Sequence, residues 1–532
     1  ATITATTADG GKTATCAVTV SAPAPAHSHY NCGVESCNAD HNGDATGNGH
    51  STVDSWTAWD GGDTNLTSGS YYLTDNVTLT ETLTISSGEV NLCLNGHVLK
   101  YDGTGKESVI KVASNATLSI CDCTNTTHTG YINSDGLWVA GTPSGEEATV
   151  PLTGGIITGG KGYHFSDNNN YYRYGGGIFV DGGTLNLYGG NIAGNLCAYE
   201  SDLSKYGGGG VYVKNGTFNM YDGTITGNCA MTKTKGGGGG LYLDNSTFNM
   251  SGGKISQNKA HLVSGSYGGY GGGIYVFGSN SQANLSGTAE ISGNSAYSNG
   301  GGIYLATGSI TMSGNVAIDG NEAQNGGGVS FKGNTFTING GSISNNTATG
   351  SYGAGGVEVA GGTVTMNAGS ISDNTAAGTG GGVRVYDGTF TMAGGSISGN
   401  KTTGSAHGGG VYIYSNSSGT PTFVMTAGKI SGNTASGNGG GVYVLRSTFN
   451  MYGGLITGNA LHCKLALDDQ GKPTLDKDGA QKVTSTRGGG AVSVYTDGSS
   501  FYMYGGEISG NETTKVTYLD KNGKSVETGG NG

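Results

Sequence analysis

The chain has 532 residues, a formal net charge of -12 and 107 glycines, about one residue in five against a usual share of roughly 7%. Charged residues make up only 12% and tyrosines number 30, a composition that excludes a disordered acidic tail. Six prolines without an every-third-residue glycine exclude collagen, the acidic balance argues against nucleic acid as the main partner, and no apolar run nears the roughly 18 residues of a membrane span.

In chain order, the first strand-like run is Ala1-Thr2-Ile3-Thr4-Ala5-Thr6, and a second ends in Cys16-Ala17-Val18-Thr19-Val20. No charged and apolar leader precedes them, and the last residues are Gly529-Gly530-Asn531-Gly532, so both ends are expected to be cut from a longer chain. The segment 23–70 is a linker rich in Cys and His, with His27, His29, Cys32, Cys37, His41 and His50. Cys32, Cys37 and His41, with His29 or His27, supply the ligand types of a closed tetrahedral site, which predicts one structural zinc. A Cys32–Cys37 disulfide is the alternative in an oxidising compartment. Asp40, Asn42 and Asp44 match the first positions of a calcium loop, but Ala45 replaces its turn glycine and Ser51 its closing glutamate.

From residue 71 the pattern becomes repetitive. Leu83-Thr84-Ile85, Val90-Asn91-Leu92 and Leu118-Ser119-Ile120 read as strands of irregular early coils, with Cys93 and Cys121 at equivalent places. From about residue 175 a unit recurs, running from Gly-Gly-Gly and an apolar-X-apolar triplet through Thr-Phe-X-Met to Gly-Gly-X-Ile-Ser/Thr-Gly-Asn. The closing asparagine falls at 195, 228, 258, 294, 321, 346, 374, 400, 433, 459 and 511. Each unit has period-two runs and is too rich in glycine to bury a core alone, so the units must stack as coils. Val211 and Val213 then point inward with Phe218, Met220 and Ile225, Tyr212 points away from the interior, and the asparagines form an internal amide ladder. Cys93 with Cys121, and Cys197 with Cys229, are spaced to bridge neighbouring coils or simply to pack.

These repeats resemble right-handed parallel β-helix proteins of the pectate-lyase-like type, and their Gly-Gly starts and Ile-X-X-Asn ends are similar to repeats of polymorphic outer-membrane adhesins and related bacterial surface proteins. The resemblance implies an all-β solenoid over 71–532, of about fourteen coils and on the order of 65 Å at the spacing between strands. Residues 1–22 resemble the last strands of a bacterial group 2 immunoglobulin-like domain, which implies a secreted or cell-surface protein. A monomer that does not itself insert into a membrane is expected.

Loop lengths suggest where a ligand sits. The segments between each closing asparagine and the next glycine start are long at 196–207, 229–237 and 259–270, short in the middle, and long again at 460–487. High walls over a low middle would form a trough suited to an extended ligand such as a glycan. The outward residue of the triplet runs Phe179, Tyr212, Tyr242, Tyr275, Tyr304, Ser330, Glu358, Arg384, Tyr412, Tyr443 and Ser493. The aromatic series breaks where the loops are shortest. Lys332, Tyr386 and Tyr414 should point the same way, with His407 beside them. Glu358, Arg384, His407 and Lys332 are therefore the candidate catalytic groups, and Tyr304, Tyr386, Tyr412 and Tyr414 the candidate sugar-stacking rings.

A glycosidase would need a second carboxylate, for which Glu358 has only Glu322 and Asp373. A polysaccharide lyase would use Arg384 or Lys332 as base, without a visible cluster of Asp for a cation. The structural alternative makes Glu358 and Arg384 one exposed ion-paired rung, worth about 0–1 kcal/mol. The aromatic segment 163–174, with Tyr172 and Tyr174, is a second contact region or else a packing element. Expected functions are thus binding of complex polysaccharide or host glycan, with or without cleavage, against a non-catalytic adhesin or spacer.

Overall fold

The computed structural model describes residues 56–528 apart from 168–169, 199–202, 233–235, 263–267, 404–405, 416–418, 463–464, 466, 469 and 483–487, together with strand backbone at 2–6, 13–17, 29–30 and 52–53. The described residues form strands and turns without a helix.

One turn shows how the repeat folds. Val211–Lys214 makes the first face, Thr217–Met220 the second, Thr224–Thr226 the third and Cys229–Thr232 a short fourth. Each strand pairs in parallel with its counterpart one turn on: Val211 with Leu241, Thr217 with Thr247, Ile225 with Ile255 and Cys229 with Lys259. This register lays like on like. Val211, Val213, Phe218, Met220 and Ile225 are completely buried, and such rings stack along the interior, as Phe390 does on Phe423 at 5.2 Å. Burial of each large apolar side chain contributes about 1.5–3 kcal/mol, which a single turn cannot obtain without its neighbours. The result is a right-handed parallel β-helix solenoid.

The closing asparagines form the expected ladder. From Asn195 to Asn459 each side-chain amide donates to the Oδ1 of the next asparagine, at 3.0 Å for Asn195 to Asn228 and 2.8 Å for Asn459 to Asn511. The backbone N–H of each rung donates to the same Oδ1, as at Asn294 to Asn321 (2.9 Å). The second amide hydrogen goes to a backbone carbonyl, such as Ile291 O for Asn321. All the polar groups of a buried amide are thereby satisfied, which is the condition for burying it.

Two features depart from the sequence reading. The segments after each asparagine are not simply loops. They begin with fourth strands that form their own eleven-stranded sheet from Leu196–Cys197 to Glu512–Thr514. The solenoid also has about twelve regular turns rather than fourteen. At its start Thr57–Trp59 and Asn65–Leu66 already pair into the sheet but leave that turn incomplete, and a later turn is interrupted by the excursion 122–155. In that excursion Thr127–His128 pairs with Leu152–Thr153 and Gly130–Ile132 with Trp138–Ala140, both antiparallel. It lies over the third face, where Trp138 packs with Leu152, Ile156 and Ala193.

Candidate functional site

The outward column on the first face is in unbroken register from Phe179 through Tyr212, Tyr242, Tyr275, Tyr304, Ser330, Glu358, Arg384, Tyr412 and Tyr443 to Ser493. Its N-terminal part is covered. Tyr163–Asp167 and Asn170–Tyr174 form an antiparallel hairpin against it. The Tyr163 ring stacks on Phe179 at 5.5 Å, and Tyr174 approaches Tyr212 to 4.3 Å. Tyr212 is fully buried, its hydroxyl donates to Asp244 Oδ2 at 3.0 Å, and burial holds its pKa well above the usual tyrosine value. Tyr174 is buried as well, so it belongs to packing and not to a ligand surface. The side chain of Tyr172 lies outside the described residues.

The column becomes polar in the middle, and here too the exposed pair expected from sequence is corrected. Arg384 Nη1 donates to Glu358 Oε1 at 2.6 Å, Ser330 Oγ donates to Oε2 at 3.0 Å, and Glu358 and Arg384 are only 5% and 7% exposed. Flanking rungs of the sheet and the rings beside them shut water out. Burial lifts the Glu358 carboxyl above the ordinary carboxylate value, while Arg384 and Ser330 pull it the other way. Arg384 Nε is buried without a hydrogen-bond partner among the described residues.

Beside this rung Tyr386 and Tyr414 are half-buried, whereas Tyr412 and Tyr443 in the column are as buried as Tyr242 and Tyr275. The guanidinium lies over Tyr386 at 4.9 Å, a cation–π contact, and Tyr386 stacks with Tyr414 at 6.3 Å. Tyr412 stacks on Tyr443 at 5.4 Å, and His407 stacks on Tyr443 at 4.8 Å. His407 Nδ1 accepts from the Asn438 backbone N–H at 2.9 Å, which requires an unprotonated Nδ1, and burial lowers its pKa. Tyr304 stands one rung before Ser330, half-buried and stacked on Tyr270 at 4.9 Å. Lys332 is exposed beside the column.

The structure thus gathers Glu358, Arg384, Tyr386, Tyr412, Tyr414 and His407 on one face. Glu322 lies on the fourth strand Glu322–Ala323 and Asp373 at a turn following the third face, so neither joins Glu358. Ser330 as an anchor of the carboxylate, and Tyr352 at 71% exposure in the adjoining loop, were not singled out from sequence. The signal for Ser330 was its place in the interrupted column.

Among the described residues no group of three or more His, Cys, Asp or Glu is arranged to hold a metal. Cys32, Cys37, His41 and His27, with the calcium-like Asp40, Asn42 and Asp44, lie outside the described residues, and of His29 only the backbone of His29–Tyr30, paired with Thr52–Val53, is described. Cys93 faces Cys121 in register, yet its sulfur lies 3.5 Å from that of Cys123. Cys197 pairs with Ala230 and not with Cys229. Cys93, Cys121, Cys197 and Cys229 are free thiols, and burial pushes Cys197 and Cys229 up to about 12, which leaves them protonated.

The class of protein defined by this geometry is a parallel β-helix solenoid with a largely buried aromatic column interrupted by one buried ionic rung. Comparison with family models, with curated proteins and with solved structures finds no match to the chain.

Proposed function

We propose that this is an extracellular bacterial β-solenoid, of the pectate-lyase-like kind, that binds complex polysaccharide or a host glycan along the middle of its first face. Residues 1–22 belong to the same reading as the end of an immunoglobulin-like domain, and Cys32, Cys37, His41 and His29 as a structural zinc site. The observation that carries it is the set of accessible rings beside the polar rung. The column's own rings are covered on both sides of the rung, from Tyr212 to Tyr275 before it and at Tyr412 and Tyr443 after it, whereas Tyr386 and Tyr414, two residues along from the column, are only half-buried, as is Tyr304, and Tyr352 is exposed. Accessible ring faces next to a fixed polar group are what the apolar faces and hydroxyls of sugars require.

Binding without cleavage is favoured by a specific feature. Both Glu358 oxygens already accept hydrogen bonds from Ser330 and Arg384, and the other two carboxylates considered lie on other parts of the coil. This supports an adhesin or anchoring module over a glycoside hydrolase or polysaccharide lyase. Arg384→Ala is a poor probe, because it strands a buried carboxylate at a cost of about 3–5 kcal/mol. Tyr386→Ala/Tyr414→Ala removes the ring beneath the Arg384 guanidinium but keeps both hydrogen bonds to Glu358. On a panel of plant polysaccharides and host mucin glycans, it should weaken binding about tenfold, since an aromatic stack contributes about 0.5–1.5 kcal/mol. Parent-level binding to every glycan by this variant refutes the reading.

A further inference from the structure

We infer a second, separate ligand site, a cleft on the third face that takes a neutral saccharide unit. It does not rest on the first-face reading. A cleft of about 470 Å³ opens between the end of the excursion 122–155 and the outer surface of the third face. That volume falls in the range of small-ligand sites, roughly 300–1,000 Å³.

Its two walls differ in chemistry. One wall is apolar, formed by Val150, Pro151 and Leu152. The other comes from three successive turns, where Thr226, Ser256 and Ser292 stand in one register column and Thr224 pairs with Lys254 in the column beside it; Thr226 and Ser256 form its buried floor, Ser256 Oγ donating to Thr226 Oγ1 at 3.2 Å, while Ser292, Thr224 and Lys254 are half-buried. Gln257 extends this wall from a left-handed backbone position, φ 54°. Saccharides present an apolar ring face and a fringe of hydroxyls, so an aliphatic wall opposite a hydroxyl and amide wall matches both sides at once.

The charge balance selects the class. Lys254, the one cation lining the cleft among the described residues, is paired with Glu290 at 2.8 Å, and Glu290 also accepts from Ser292 Oγ at 2.7 Å. The accessible groups of the wall, Thr224, Gln257 and Ser292, therefore offer both donors and acceptors without an unbalanced positive charge, which suits a neutral sugar better than a uronate or sulfate.

The cleft is also held open in advance. Trp138 Nε1 donates to Val150 O at 2.8 Å, and Asn191 Nδ2 donates to Thr153 O at 2.8 Å, which fixes the apolar wall from both ends. Trp138 N donates to Gly227 O at 2.8 Å and Lys259 Nζ to Ser134 O at 3.0 Å, tying the excursion to the turns that supply the polar wall. Little ordering remains to be done when a ligand enters.

The test is saturation-transfer NMR on the full chain, with millimolar methyl glycosides of glucose, galactose, mannose and N-acetylglucosamine, and with methyl glucuronoside as the anionic comparison. At least one neutral glycoside should give transfer, and the signal should fall at least fivefold in Lys254→Met/Gln257→Asn, where asparagine tolerates the left-handed backbone. Ser292→Arg, which fills the cleft from a half-buried surface position, should do the same. The Tyr386→Ala/Tyr414→Ala variant should retain the signal, which separates this site from the first-face site. The inference is overturned by no transfer to any neutral glycoside, by transfer to glucuronoside alone, by a signal that survives both cleft variants, or by a signal lost when only the first-face tyrosines are changed.

Discussion

At the scale of single residues, the asparagine ladder makes the sharpest demand on chemistry. Asn346 is completely buried, and its Oδ1 accepts from both the backbone N–H and the side-chain amide of Asn321 at 2.9 Å. Its own amide donates to Ile318 O and to Asn374 Oδ1, each at 2.9 Å. Alanine at 346 would strand two buried donors of Asn321, and each stranded group costs about 1–3 kcal/mol, so a loss of about 2–6 kcal/mol is expected in urea unfolding. A second ladder supplies the control. Asn249 donates to Asn219 Oδ1 at 2.8 Å and accepts from Asn284 at 2.9 Å, but it is only half-buried on the outside of the second face. Water can replace its partners, and Asn249→Ala should cost about 1 kcal/mol or less. Equal losses at the two sites would show that the inner amides are not what ties the turns together. No other amino acid combines an acceptor and two donors at this length, which is why the ladder was legible in the bare spacing of the asparagines.

At the scale of elements, the glycine start of each repeat is what lets neighbouring turns approach. A Cβ on Gly410 would lie 2.7 Å from Gly441 O, in the backbone of the next turn, and 2.9 Å from Asn433 Nδ2, the ladder amide that closes its own turn. Gly320 differs: its φ is 61°, but a Cβ there would meet nothing closer than Gly293 N at 4.0 Å. Other repeats put Asn345 and Asp373 at the equivalent place with φ of 55° and 58°. Gly410→Ala should therefore destabilise by about 1–3 kcal/mol, the usual cost of overpacking, while Gly320→Asn stays within about 1 kcal/mol. Thermal unfolding of the two variants decides it, and similar shifts would mean that backbone conformation, not approach between turns, fixes these glycines. The same elements show what sequence could and could not carry. The inward and outward positions of Val211 to Met220 follow from alternation alone, because a strand's side chains have period two. The fourth strands escaped notice because pairs such as Thr347–Ala348 are too short to have a period. The burial of Tyr212 escaped because its cover, Tyr174, belongs to a preceding turn's loop. For the same reason Glu358 and Arg384 could be placed next to each other on the first face, but the shielding that makes them a buried pair depends on side chains that only folding brings near.

At the scale of the whole molecule, a solenoid's stability is a sum of turns and of interfaces between adjacent turns, so a side chain's worth depends on whether a turn lies on both sides of it. Met451 and Met503 occupy the same place in successive repeats and pair directly in register. Met451 has neighbours above and below and is completely buried. Met503 lies on the last strand of the second face among the described residues, with 46% of its surface exposed, and Val494 on the first face of that turn is equally exposed. Chemically identical substitutions should then differ sharply. Met451→Lys places an ammonium in the interior and leaves a mismatch in packing, and should cost more than about 4 kcal/mol. Met503→Lys lets the charge reach water and should cost about 1 kcal/mol or less. Amide hydrogen exchange on the 532-residue chain gives the companion measurement, since opening should begin where interior positions are exposed: protection should be lower over 492–509 than over 442–457. If the two lysine variants are equally destabilised and the two segments exchange alike, the last described turn is stabilised as an interior one, and the additive picture of the rod fails at the end where it is most easily tested.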